Sequence, residues 1–133
     1  MATINARLIL SGAGVTTDTL SVDSTIIPTV ESPTVQSGGL VVPATPAQIE
    51  IPGFPGTADQ DKTQMLYVQN MDTTVLTMVV VADPGNAGIN GEFARLRPGD
   101  FICVPVPAEC QILVGADGAS TLACEYGYWA LTP

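Results

Sequence analysis

No stretch of this 133-residue chain repeats its apolar residues at the three-or-four spacing of a helix. Short runs rich in Val, Ile, Leu, Thr and Tyr alternate with polar residues instead, cut by Gly, Pro, Asn or Asp roughly every 8 to 12 residues. That punctuation leaves room for strands and tight connections and for little else. The expected fold is all-β, an antiparallel β-sandwich or jelly roll with almost no helix, built as a single β domain over residues 1–133.

Ile4, Ala6, Leu8 and Leu10 alternate as in a half-buried strand until Gly12-Ala13-Gly14 breaks the run. Further strands are expected near Thr19 to Val22 and Ser24 to Val30, where β-branched residues dominate and no Lys or Arg occurs. From Pro28 to Gly56 the chain holds six of its eleven prolines and only two charges, Glu31 and Glu50. Each proline removes a ladder donor, so this stretch is not expected in the middle of a sheet. Its apolar residues, Leu40-Val41-Val42 and Ile49-Glu50-Ile51, would be wasted on a solvated linker. Residues 28–56 therefore read as an extended proline-rich arm or edge segment lying on another surface, its own domain's or a neighbour's.

Beyond Thr57, Gln64 to Asn70 and Val75 to Ala82 flank the turn residues Asn70-Met71-Asp72-Thr73 and are expected to form a hairpin. Asp83 to Gly91 is too rich in Gly and Asn for regular structure. Arg97-Pro98-Gly99-Asp100 places Pro and Gly at the centre of a type II turn joining Glu92–Leu96 to Phe101–Val106. A last hairpin, Cys110 to Val114 against Ser120 to Leu131, buries best when Val114 opposes Leu122 and Ile112 opposes Cys124. In that register Cys110 and Cys124 are diagonal neighbours, so Cys103, Cys110 and Cys124 are expected as free thiols. Tyr126 and Tyr128 share one strand face and are expected in the core. Trp129 falls on the other face, where it would suit an interface anchor.

Charge and residue types exclude several functions. Four basic residues face thirteen acidic ones, a net charge of −9, so neither a nucleic acid nor an anionic membrane surface is expected as a partner. No apolar run approaches a membrane span, no basic region precedes Leu8-Ile9-Leu10, and no asparagine lies in an N-x-S/T sequon. A chain without signal peptide or anchor, made in a reducing cytoplasm, is the expectation. Histidine is absent, which removes the commonest general base and most catalytic zinc sites. A Ser-Lys dyad would have to use Lys62, which stands among Asp59, Asp61 and Thr63. The carboxylate pairs Asp59/Asp61 and Glu92/Asp100 read as solvated loop acids. Asp59-Gln60-Asp61 lacks the further ligands of a calcium loop, and Gly12-Ala13-Gly14 lacks the third glycine of a dinucleotide motif. No enzymatic activity, cofactor or metal is expected.

Leu66-Tyr67-Val68-Gln69-Asn70, a polar turn, a Val-rich strand, a Gly-rich loop, then Leu96-Arg97-Pro98-Gly99-Asp100 and a strand ending in Val-Pro occur in that order. With Ala6 to Gly14 and Asp18-Thr19-Leu20-Ser21, this order resembles small tailed-bacteriophage virion proteins. The resemblance implies a β-sandwich acting as a capsid decoration (cement) protein: a homo-oligomer, by analogy a trimer, bound to the major capsid protein on the head exterior after assembly in the host cytoplasm. The alternative it leaves is a tail or fibre module contacting the host surface, for instance a glycan. Partner or self contacts are expected at Leu40, Val41, Val42, Ile49, Ile51, Phe54 and Trp129. Removing residues 1–56 is then expected to abolish capsid binding while the C-terminal hairpins still fold.

Overall fold

The computed structural model describes residues 2–3, 6–12, 20–26, 29–44, 48–54, 62–73, 77–83, 91–107, 110–118 and 120–131. Among them there is no helix. Eleven strands follow one another: β1 (Ala2–Thr3), β2 (Ala6–Gly12), β3 (Leu20–Ile26), β4 (Thr29–Val42), β5 (Gln48–Glu50), β6 (Gln64–Asn70), β7 (Thr77–Asp83), β8 (Gly91–Leu96), β9 (Phe101–Val106), β10 (Gln111–Asp117) and β11 (Leu122–Leu131). The Gly12-Ala13-Gly14 turn, the Asp59/Asp61 pair and most of the Asp83–Gly91 loop lie outside the described residues.

Strands β4 to β11 form two sheets, ordered β4-β11-β6-β9 and β5-β10-β7-β8, with β1 extending the first beside β4. Every pairing is antiparallel. The chain changes sheet at each connection except β7–β8, which is the jelly-roll order. The all-β sandwich read from the sequence is thus the fold, in its jelly-roll form.

Two predicted hairpins are overturned by this topology. Strand β6 pairs with β11 and β9, whereas β7 pairs with β10 and β8. Likewise β10 lies in the second sheet and β11 in the first, so Ile112 does not pair with Cys124. Alternation shows which side of a strand is buried. Two strands facing each other across a core carry the same alternation as two that share a ladder. Ile112, Val114, Leu122 and Cys124 are all buried in one core, contributed from opposite sheets.

The proline-rich segment supplies β4 and β5. Thr29–Val42 is the longest strand among the described residues, paired from Leu122↔Val42 to Trp129↔Val35. The register then jumps to Leu131↔Val30. Pro33 falls within that jump, so its missing donor sits where the ladder is already broken. Pro43 follows the strand's last residue and Pro52 follows β5, where neither interrupts a pairing. Over its described residues the segment is therefore sheet edge and core.

The core lies between the sheets and includes Val42, Ile51, Leu66, Val80, Ile112 and Leu122, each at most 2% exposed. Tyr128 is buried there, its ring meeting Phe54 edge-on at 5.0 Å and its hydroxyl donating to Pro52 O at 3.0 Å. Tyr126 stacks on Tyr128 at 6.4 Å. A Cβ at Gly38 would stand 3.0 Å from the Tyr126 hydroxyl oxygen, which explains a glycine in the middle of β4. Trp129 packs with Met65 on the opposite side of the same sheet, with Tyr67 and Leu131 against them. Strands β2 and β3 form a separate two-stranded ribbon, on which Arg7 donates to both Asp23 carboxylate oxygens at 2.8 and 2.5 Å.

Candidate interaction surface

The residues that order the sequence motif come together at one corner of the sandwich. Asn70, fully buried at the end of β6, donates from Nδ2 to Leu96 O at 2.9 Å and accepts the Asp72 N–H at 3.0 Å on its side-chain oxygen. Its backbone N–H donates to Asp100 O at 3.0 Å, and its carbonyl accepts from Gly99 N at 2.8 Å. Gln69 Nε2 adds a bond to Gly99 O at 3.3 Å. The turn that receives these bonds closes through Asp100 N to Arg97 O at 2.9 Å, with Gly99 at φ 83°, where a side chain is disfavoured. Asp100 Oδ2 accepts from Arg97 N and Nε, both at 3.1 Å, and the Arg97 bonds hold its carboxyl below its usual range. Gln69, Asn70 and Leu96–Asp100 thus lock the β8–β9 crossover to the end of β6. Their spacing encodes a fold junction.

Glu92, the other described acid of the two pairs singled out from the sequence, is similarly occupied. Glu92 pairs with Arg95, whose Nη1 also donates to Asp117 Oδ2 at 2.6 Å. Glu92 and Asp100 are therefore paired with different arginines. Lys62 precedes β6, and its carbonyl accepts from Gln64 Nε2 at 3.4 Å. Among the described residues no three of Cys, Asp and Glu gather as metal ligands.

Of the seven predicted contact residues, Val42, Ile51, Phe54 and Trp129 are buried within this chain, and Leu40 and Ile49 pack half-buried against its core. Only Val41 is presented outward, 69% exposed. It belongs to a surface the sequence reading did not assemble. Val41 pairs with exposed Ala123, whose carbonyl accepts the N–H of Met71 at 2.9 Å. Met71 is itself half exposed and apolar in an otherwise polar turn, the one signal that could have marked it. These residues, with Gly39 and Glu125, line an open depression of about 610 Å³ on the outer face of the first sheet. Phe101 is exposed on the same face at the start of β9, beyond Gln69.

Cysteine placement follows from the sheets. Tyr67 and Cys103 are paired on the outer face, while Cys124 points into the core, so Cys103 and Cys124 lie on opposite sides of one sheet. Cys110 precedes β10 in the other sheet and is not the diagonal neighbour of Cys124 that the predicted hairpin required. Burial first, then the Glu125 charge, pushes the Cys124 thiol up to about 12. Burial also raises Tyr128. A group raised on folding contributes stability that is complete below its unfolded value, here 9.0 for the thiol, and lost as pH climbs toward its folded value. The urea midpoint is therefore expected to fall between about pH 9 and pH 11, less steeply in Cys124→Ala. At pH 8 a thiol reagent should modify exposed Cys103 in the native protein and reach Cys124 only on unfolding. Equal native rates at the two sites would contradict this placement.

No family model and no curated protein matches the chain. A solved structure of a Bacillus endospore appendage protein, described as belonging to a novel family of disulfide-linked pili, aligns at 15% identity and a TM-score of 0.49. The alignment covers 74% of this chain and 88% of that one. A likeness of that degree assigns no function.

Proposed function

We propose that this chain is a structural protein of a virus particle, a capsid decoration protein that binds the head exterior as a homo-oligomer in contact with the major capsid protein. The observation that carries the proposal is the outer face of the first sheet. There Val41, Met71 and Ala123 expose apolar surface beside an uncharged strand end in a chain of net charge −9. Exposed apolar area that is not scattered suits burial against another protein. The motif order shared with tailed-phage virion proteins points the same way, since it builds the corner on which that sheet is hung. A trimer is the form this resemblance implies. No catalytic role is assigned, because the candidate acids within the described residues are held by arginines.

Purifying particles from infected cells and counting copies of this protein per particle tests the reading. Hundreds of copies, lost when Val41→Lys and Met71→Lys are combined, are expected. A few dozen copies or fewer would place the protein in the tail and overturn the head assignment.

A further inference from the structure

We propose that the free edge of β4, over Ser37–Val42, is a two-fold interface at which the strand pairs antiparallel with the same strand of a second copy. The inference rests on the self-association in the reading above, names the surface that performs it, and sets a two-fold dimer in place of the trimer that the resemblance implies. Each sheet of the sandwich ends in two edges, and three of the four carry features that discourage a further strand. Strand β5 is only three residues long and holds Glu50, β8 carries Glu92 and Arg95, and β9 carries Pro105 with Pro107 just beyond it. The fourth edge is different. β1 covers only Thr29 and Val30 of β4, and among the described residues nothing pairs with that side of Ser37–Val42. This stretch contains no proline and no charge. Its backbone donors and acceptors on that side form an open template for one more strand.

Charge selects the occupant. A chain of net charge −9 repels its own copies over most of its surface, and a two-fold contact sets each residue against its own kind or a near neighbour. Ser37–Val42 is a surface where that opposition costs nothing. The nearest described acid on the outer face is Glu125, one strand inward on β11 and paired with Gly39. Across a joined edge the two Glu125 residues stand three strand spacings apart, about 14 Å, beyond the screening length of about 8 Å at physiological salt. The outer face must continue across the junction, so odd-numbered residues oppose odd-numbered ones, and a two-fold at Gly39 sets Val41 against the partner's Ser37. The joined sheets bring the two depressions at Val41 and Met71 onto one continuous face. A three-fold ring would instead require β4 to meet a different edge.

Gly39 allows a test that spares the fold. It has no positive φ, and a Cβ there would find its nearest neighbour, Cys124 O, at 4.0 Å. Sedimentation equilibrium of the full chain should give a species of twice the 13.7 kDa chain mass. Gly39→Ser should leave it intact. Gly39→Glu and Gly39→Lys, each opposing like charges at the axis, should each weaken it by about 100-fold with unchanged circular dichroism. Mixing the Glu and Lys variants should restore the dimer. A monomeric wild type at 0.1 mM overturns the proposal, as does a dimer indifferent to Gly39→Glu. Loss in both variants without restoration on mixing also overturns it, since β4 would then meet a different surface. The particle count is read separately, so a dimer that never enters particles refutes the decoration reading and leaves the interface standing.

Discussion

Deleting residues 1–56 is expected to leave a chain with no cooperative unfolding transition, recovered as aggregate or as an unfolded polypeptide. The deletion removes β4 and β5, one edge strand from each sheet, and exposes the ladder sides of β11 and β10 that they cover. Val42, Ile51 and Phe54 leave the core with them, at 0%, 1% and 7% exposure. Removing large buried side chains costs about 2–4 kcal/mol apiece, so these three alone approach the 5–15 kcal/mol that holds a typical domain together. Tyr128 also loses both its ring partner Phe54 and its hydroxyl acceptor on Pro52. Differential scanning calorimetry of the fragment checks this outcome. A soluble fragment that melts cooperatively would mean that residues 29–54 are dispensable to the fold, as an arm would be.

Asn70→Ala should destabilise the intact chain by about 3 kcal/mol, on the order of 10 °C in Tm. The side chain satisfies the Leu96 carbonyl and the Asp72 N–H in a place that water does not reach freely, and truncation leaves both without their partner. Gly99→Ala acts on the same corner through the backbone and should cost about 1–2 kcal/mol, because φ 83° must be kept by a residue with a Cβ. Since Gly99 N bonds to Asn70 O, the two changes share a network, and the double variant should fall short of the sum. Equilibrium denaturation of the four proteins in the cycle measures this. Strict additivity would show that turn and asparagine act independently.

These expectations bear on how the motif is understood. Gln69-Asn70 and Leu96-Arg97-Pro98-Gly99-Asp100, the residues from which a phage virion protein is expected, bond to each other in the structure. That order of residues therefore tracks a jelly-roll corner. The exposed apolar surface is built elsewhere, from Val41, Met71 and Ala123, which come from three separated parts of the chain. No local spacing joins them. The contact residues predicted from the proline-rich segment were apolar for a nearer reason, since most of them fill or flank the chain's own core.

What the amino-acid order determined by itself was local: alternation that commits runs to strands, prolines and glycines that end them, a Pro-Gly turn at Arg97–Asp100, and a net charge of −9. Those features act within a few residues and are legible there. Which strands share a sheet was decided only in three dimensions. A strand's alternation records that one side is buried, and burial is the same whether the neighbour across the apolar side belongs to its own ladder's sheet or to the facing one. For the same reason the open edge at Ser37–Val42 could not be read from its uncharged composition. An edge is a position in a strand order, and that order exists only once β11 has taken the other side of β4.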